Sequence, residues 1–386
     1  MSKSSQKLLR FTHVRLENWR NFTTVEADLD RRVFLVGPNA AGKSNFLDVF
    51  RFLQDLVRVG GGLQEAVSRR GGVSRLRCLA ARRNPSVTVF VRVGTDEEPS
   101  LWEYELCFNQ DVRSRPVIKR ERVARDGKEI LLRPDEQDSN DPERLTQTYL
   151  EQVYVNQSFR DLAEFFPTVQ YLHIVPQLVR EPDRSVGRTN DPYGGDFLEK
   201  IASAQEKTRK AWLRRIRDAL RVAVPQLEEL ELLRDARGTP HLRGKYEHWR
   251  PHGAWQNEDQ FSDGTLRLMG LLWIALAGSG PLLLEEPELS LHPEVVRYLP
   301  QMFARMQSRT GRQVMISTHS ADMLRDTGIG LDEVLLLQPG AEGTVVCAAG
   351  SVADARQLLE GGLTLADIVI PRTRPEKAAQ LSLFGE

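Results

Sequence analysis

The chain has 386 residues, long enough for two or three lobes sharing a sizeable core. Hydrophobic residues make up 40% and charged residues 27%, which excludes a disordered or collagen-like chain. The 53 basic residues match 53 acidic ones, so a uniformly basic nucleic-acid coat is excluded while local patches are not.

The first predicted elements are an extended segment at 11–19 and a buried strand at 31–36 (RRVFLV). A glycine-bearing loop and an amphipathic helix over 43–59 come next, stopped by Gly60-Gly61-Gly62. Residues 63–83 read as a basic, loop-like stretch. Antiparallel strands are expected at 85–93, 101–109 and 117–125, with a turn at Arg125-Asp126-Gly127-Lys128. The polar stretch 134–145 reads as mobile. A strand is expected at 169–175, a helix over 197–224, a charged stretch dotted with histidines at 238–258, and a helix at 265–277. Strands at 281–285, 313–317, 334–338 and 344–348 close the pattern. The alternation indicates an α/β core with a parallel sheet, interrupted by an antiparallel β-rich insertion and a compact helical lobe.

Gly37-Pro38-Asn39-Ala40-Ala41-Gly42-Lys43-Ser44 fits G-x-x-x-x-G-K-[ST], between an apolar strand and a helix. Gly37 and Gly42 let the backbone wrap close to phosphate oxygens, so the N–H groups of Asn39, Ala40, Ala41 and Asn45 fall in the candidate nucleotide site. Lys43 is expected on the β/γ-phosphates and Ser44 on Mg²⁺, with the helix N-terminus adding partial positive charge. Downstream, Pro281-Leu282-Leu283-Leu284-Glu285-Glu286 is an apolar strand ending in two acids. Glu285 can hold Mg²⁺ and Glu286 can align or deprotonate an attacking water. Ser262-Asp263-Gly264-Thr265 opens a helix and offers a second anion site or a simple N-cap. Ser317-Thr318-His319-Ser320 ends a strand and places His319 to hydrogen-bond a γ-phosphate.

The order of P-loop, S-x-G-T, apolar-Glu-Glu-Pro and S-T-H-S resembles the ABC-type ATPase heads of the RecF, SMC and OLD (overcoming lysogenization defect) group. The opening Leu16-Glu17-Asn18-Trp19-Arg20-Asn21-Phe22 is similar to the start of these heads and makes Arg20 a nucleotide-contact candidate. The resemblance implies that Ser262, Gly264 and Thr265 form the ABC signature, which binds ATP held by the opposite subunit. It further implies that Gln177 is the Q-loop residue touching Mg²⁺, that His319 is the switch histidine, and that 289–293 (LSLHP) is the D-loop. Two positions depart from the pattern: Glu285 stands where most of the group has Asp, and His292 where it usually has the D-loop aspartate.

The expected organisation is an N-terminal half-head with the β-rich insertion (1–175), a helical lobe (176–258), a C-terminal half-head (259–350) and an extension with a tail (351–386). A TOPRIM nuclease of the OLD type is not expected. Only 24 residues follow Gly362, and the one D-x-D, Asp28-Leu29-Asp30, precedes the P-loop. A long coiled-coil arm of the SMC type is not expected either, because no second heptad run returns. His241, His248 and His252 could suggest a metal cluster, but Pro251 and Gly253 break any helix that would align them, so no metal beyond Mg²⁺ is assigned.

Two basic runs are candidates for nucleic-acid backbone contact, or else solvated faces. One holds Arg69, Arg70, Arg75, Arg77, Arg82, Arg83 and Arg92. The other holds Lys207, Arg209, Lys210, Arg214, Arg215, Arg217 and Arg221. Arginine outnumbers lysine 43 to 10, which genomic base composition explains as readily as a ligand does. Gln380-Leu381-Ser382-Leu383-Phe384 resembles the peptide by which bacterial replication and repair proteins bind the sliding clamp, although its apolar residues could equally dock on this chain. The N-terminus lacks the apolar core of a signal peptide, and the longest apolar stretches, 268–277 and 282–284, are too short to span a membrane. Cys78, Cys107 and Cys347 form no CxxC, which fits a reducing cytoplasm.

The reading is an ATP–Mg²⁺ switch that forms a homodimer around nucleotide and acts on DNA or a separately encoded nuclease or effector, in bacterial repair or anti-phage and plasmid defence. The alternative is an ATP-bound scaffold that holds a toxic partner with slow hydrolysis.

Overall fold

The computed structural model describes residues 8–81, 84–184, 191–248, 254–374, 380 and 382. The chain divides into two compact units. One comprises Met1–Gln170, Ser279–Leu283 and Ala304–Glu386, and the other Tyr171–Gly278 and Leu284–Phe303.

In the first unit the chain lays down β1 (Arg10–Trp19), β2 (Phe22–Asp28) and β3 (Arg32–Val36), then α1 (Lys43–Val57), α2 (Leu63–Ser68) and α3 (Val73–Leu76). Strands β4 (Val87–Gly94), β5 (Trp102–Gln110), β6 (Pro116–Arg125) and β7 (Lys128–Arg133) follow. The strand order β2-β1-β4-β5-β6-β7 forms an antiparallel sheet. Its inward face is legible in β5, where Trp102, Tyr104, Leu106 and Phe108 alternate into the core. The β6–β7 connection is the expected Asp-Gly turn. Asp126 (φ 49°) and Gly127 (φ 74°) both take the left-handed conformation that matches strand twist in a hairpin.

β8 (Gln170–Leu172) leads the chain into the second unit, which holds β9 (Leu227–Arg234), β10 (Pro240–Tyr246) and β11 (Ala254–Asn257). β12 (Leu282–Glu285), β13 (Val314–Thr318), β14 (Val334–Gly340) and β15 (Gly343–Ala348) complete the strands. The second large sheet has the order β15-β14-β3-β13-β12-β8, with β3 parallel to both β13 and β14. Every residue of β3 and β13 is buried, as in a parallel sheet covered on both faces. On α1, Phe46, Leu47, Phe50 and Leu53 are fully buried. Phe50 and Phe165 pack on Phe11 of β1, at 4.6 and 5.0 Å between ring centroids.

Several segments differ from the sequence reading. Residues 63–83 are not simply a loop: they hold α2 and α3, whose Leu63, Ala66, Val67, Val73 and Leu76 are buried. The polar stretch 134–145 is ordered because Arg133, fully buried, reaches Asp138 (2.8 Å) and Glu121 (2.9 Å) as well as the Arg144 and Gln147 carbonyls. A capping box between Asp135 and Asp138 starts the helix Glu136–Asn140.

In the second unit, the single helix expected over 197–224 is two, Phe197–Ser203 and Glu206–Leu220. Ala204 is extended, and the Arg209 guanidinium collects the Ala202 and Ala204 carbonyls at 3.0 and 3.2 Å, satisfying the acceptors the break leaves. The region expected as a helical lobe also carries the antiparallel sheet β11-β10-β9. Its strands were masked by their charge: Lys245 and Arg243 of β10 pair with Glu229 and Glu231 of β9 across the exposed face. Among the described residues no helix is long and apolar enough to cross a membrane.

Candidate functional site: a phosphate loop and a signature turn

The phosphate loop belongs to the first unit. It leaves β3 at Gly37 and enters α1 at Lys43. Ala40 (φ 63°) and Gly42 (φ 95°) take left-handed conformations that fold the chain back on itself. No side chain caps α1, so the N-terminal turn keeps the partial charge that suits a phosphate. A β-carbon on Gly37 would lie 2.6 Å from the Leu337 carbonyl of β14, so the loop's entry tolerates only glycine. Lys43 is buried and its Nζ donates to the Gly37 and Pro38 carbonyls at 3.0 and 3.1 Å, lying across the loop it is expected to serve. Asn39, Ala40 and Ser44 are exposed, while Ala41 is buried. The Asn45 amide turns inward and donates to Asn21 (2.7 Å).

His319 sits on the same sheet edge. Val36 of β3 pairs with Thr318 of the parallel β13, so the phosphate loop and His319 begin one residue beyond registered partners. His319 is exposed, and Ser320 caps the short helix Ala321–Leu324 that follows. Arg20 lies in the β1–β2 turn (φ 54°). Its guanidinium reaches Asp48 on α1 at 3.4 Å, and its Nε is buried with no hydrogen-bond partner. An orphaned donor beside a loose ion pair leaves Arg20 capacity for another anion.

The second unit carries the acids and the signature. Glu285 ends β12 and accepts a hydrogen bond from the Tyr171 hydroxyl. Glu286 follows in the left-handed region (φ 44°), an uncommon setting for a side-chain-bearing residue, and its carbonyl accepts from Leu289 N–H (3.2 Å). Ser262 caps the helix Asp263–Leu276: its Oγ accepts from Thr265 N–H at 3.2 Å and lies 2.8 Å from Thr265 Oγ1. Thr265 is buried and therefore holds the cap, whereas Ser262 is exposed. Arg180 straps this turn, donating to the Phe261 carbonyl (2.7 Å) and to Asp263 (2.6 Å). A β-carbon on Gly264 would lie 2.4 Å from the Ser290 carbonyl, so the signature glycine packs directly on the 289–293 turn. Arg267, one helical turn on, is pulled below its usual pKa by burial, with Asp263 and Glu286 opposing that shift. Gln177 is exposed on the helix Pro176–Val179. His292 accepts from Glu294 N–H at 3.2 Å and so caps the helix Pro293–Val296.

Sequence reasoning missed four of these residues. Asn21, Tyr171, Arg180 and Asp48 act through partners 20 or more positions away, and spacing carries no trace of that. His241 is held by buried Glu258 (2.7 Å) with Asp235 nearby, while His252 lies outside the described residues. Among the described residues no group of three or more His, Cys, Asp or Glu side chains could hold a metal ion.

A sequence profile described as "AAA domain, putative AbiEii toxin, Type IV TA system" matches residues 32–325, more than half of the chain. The chain belongs to this AAA family.

Solved structures agree on the fold. The Smc head bound to the C-terminal winged-helix domain of ScpA is similar with a TM-score of 0.55 at 13% identity, covering 90% of this chain and 99% of that one. The Smc head with an extended coiled coil, bound to the C-terminal domain of ScpA and derived from Pyrococcus furiosus, gives 0.51 at 12%, covering 92% and 99%. The Smc head with a coiled coil and joint from Pyrococcus yayanosii gives 0.51 at 11%, with the same coverage. No curated protein is matched. At such identities the likeness speaks for fold alone: the chain of this AAA family has the fold of an Smc head.

Proposed function

We propose that the protein binds and hydrolyses ATP–Mg²⁺ and works as a nucleotide-driven switch. The observation that carries this is the phosphate loop: a left-handed turn into an uncapped helix, with buried Lys43 lying across it. Hydroxyl and carboxylate oxygens at Ser44 and Glu285 suit a hard cation such as Mg²⁺. In this reading Lys43, Gly37, Asn39, Ala40, Ala41, Gly42 and Asn45 hold the phosphates and Arg20 adds a contact. Gln177 joins Ser44 and Glu285 at the metal, Glu286 is the general base and His319 the sensor. Ser262, Gly264 and Thr265 meet the nucleotide of a second copy in an ATP-dependent homodimer.

The switch acts in the cytoplasm on DNA or on a separately encoded effector, in repair or in defence against phage and plasmids. The family description, with its toxin and toxin–antitoxin wording, supports the defence branch. Of the two basic runs, the ion pairs favour the second. In the first, Arg70 is buried, Arg69 pairs with Glu65 and Arg92 with Glu103, while Arg82 and Arg83 lie outside the described residues. In the second, Lys207, Arg214, Arg215 and Arg221 are exposed and make no ion pair among the described residues.

Lys43→Ala is expected to abolish nucleotide binding. Glu286→Gln is expected to keep binding, stall hydrolysis and trap ATP-bound dimers, visible by light scattering. Wild-type hydrolysis by Glu286→Gln would remove the base assignment. Identical size with and without ATP, in both wild type and Glu286→Gln, would remove the ATP-dependent dimer. Tight retention of ATP with a co-purifying protein and no turnover would favour the scaffold reading.

A further inference from the structure

Asn21 follows Arg20 in the opening motif and takes no role in the reading above, yet its amide is fully committed. Nδ2 donates to the Ala41 carbonyl (3.0 Å) and to Thr344 Oγ1 (2.7 Å), which uses both of its hydrogens. Oδ1 accepts from Asn45 Nδ2 at 2.7 Å. The backbone joins in: Thr344 N–H donates to the Asn21 carbonyl at 2.8 Å. A β-carbon on Gly42 would lie 2.2 Å from Asn21 Nδ2, so the amide rests against the glycine that turns the chain into α1. Asn45 is held from its other side, because the Trp19 indole donates to its carbonyl at 3.0 Å.

We infer that Asn21 is a positioning residue for the phosphate loop. It fixes the orientation of the Ala41–Gly42 peptide, and hence of the N–H groups of Gly42, Lys43 and Ser44 that open the helix. It also ties that peptide to the β14–β15 hairpin through Thr344. The argument is one of pre-organisation. The Ala41–Gly42 peptide runs into left-handed Gly42, and beside a glycine a peptide plane can turn over at low steric cost. An amide that donates to its carbonyl allows only one orientation. Without it the loop must be ordered by the nucleotide at each binding event, which lowers affinity by the unpopulated fraction. Gly42 therefore answers two demands, the approach of phosphate and the approach of Asn21.

The inference rests on the ATP-binding reading, and the test separates the two. Binding of a fluorescent ATP analogue and steady-state ATPase are measured on the full-length protein, with thermal unfolding as the check on folding. If the wild type binds no nucleotide, the ATP reading fails. If it binds, Asn21→Ala is expected to raise Kd and KM about tenfold, the size of one hydrogen bond lost from a half-buried site, with kcat changed less than threefold. Asn21→Asp supplies the distinctive readout. Ionised, it sets an oxygen against the Ala41 carbonyl; protonated, it restores one donor. Its nucleotide affinity relative to wild type should therefore recover as pH falls from 7 towards 4, where an ordinary aspartate, of pKa about 3.9, takes up its proton. Thr344→Val removes the outer anchor and should raise Kd by about threefold. Should Asn21→Ala fail to fold, Asn21→Asp and Thr344→Val decide. Wild-type Kd in the folded variants, or an Asn21→Asp affinity that does not vary with pH relative to wild type, overturns the inference.

Discussion

Arg70 stands in a sequence run that reads as a basic patch, but its side chain is only 5% exposed. Two of its nitrogens grip Asp48 at 2.8 and 2.9 Å, a third contact reaches Asp55 at 2.8 Å, and the Ala66 carbonyl takes another bond at 2.8 Å. Its guanidinium also lies over the Phe52 ring at 5.3 Å. Removing it as Arg70→Ala leaves two nearly buried carboxylates short of their main counter-charge. A broken buried pair of this kind costs about 3–5 kcal/mol. For a domain of this size that is a fall in Tm of about 6–20 °C, at roughly 2–4 °C per kcal/mol. Arg69→Ala, whose pair with Glu65 is solvent-exposed, should cost no more than about 1 kcal/mol.

The pH dependence carries a sign. Burial would raise the Asp48 carboxyl, but the Arg70, Arg51 and Arg20 guanidiniums hold it below its ordinary value. Its folded pKa is thus depressed, so its contribution is present above the unfolded value and is lost as pH falls through the folded one. The stability gap between wild type and Arg70→Ala should accordingly narrow as pH drops below about 4. Urea denaturation of both variants across pH 3–8 measures this. An Arg70→Ala protein within 1 kcal/mol of wild type, with weakened salt-dependent DNA binding, would refute the buried-network argument and restore the patch.

Two further outcomes follow from surface chemistry. Lys207, Lys210, Arg214 and Arg221 fall within an arc of about 60° on the helix Glu206–Leu220 and its cap, at 100° per residue. Neutralising all four to Gln should weaken duplex DNA binding and reduce the slope of log K against log salt by about 3–4, with basal ATPase unchanged; an unchanged slope would make the stripe a solvated face. A peptide of residues 375–386 should bind bacterial sliding clamp with micromolar affinity and lose it with Leu383→Ala and Phe384→Ala, whereas no binding at high micromolar clamp ends that idea. Gln380 is exposed, and Leu381, Leu383 and Phe384 lie outside the described residues.

The parts of this protein legible in the sequence are those whose physics is local. A buried parallel strand writes itself as an apolar run (β3, β13), and a phosphate loop writes itself as glycines at fixed spacing. An Asp-Gly hairpin needs only two residues in the left-handed region. The failures share one cause, since charge is read as solvent exposure until its partner is seen. Residues 134–145 carry acids because Asp138 must meet Arg133, and β9 and β10 carry charge because they face each other. Arg70 differs from Arg75 and Arg77 in no property of its own; it differs in having Asp48 and Asp55 on the neighbouring helix.

Glu285 is one of the two positions where the sequence departs from the wider group, and the structure supplies a reason for the longer side chain. Tyr171 of β8 donates its hydroxyl to Glu285 Oε2, and an aspartate, shorter by one methylene, would withdraw its carboxylate by about 1.5 Å. The His173 ring approaches the Glu285 carbonyl at 3.4 Å from the same strand exit. A carboxylate oxygen has two lone pairs, so the tyrosine can hold Glu285 in one rotamer without consuming its capacity for a cation. A freed glutamate side chain regains up to about 1.5 kcal/mol of rotamer entropy, which is roughly tenfold in affinity. Tyr171→Phe should therefore raise the Mg²⁺ concentration for half-maximal ATPase by up to about tenfold. It should leave the affinity for nucleotide measured in EDTA unchanged, because the phosphate loop does not depend on this pair. Magnesium titrations at saturating ATP measure the effect. An unchanged Mg²⁺ requirement in a folded Tyr171→Phe protein would show that Glu285 is not oriented by Tyr171 for the metal. Its extra methylene would then serve the packing of β12 alone.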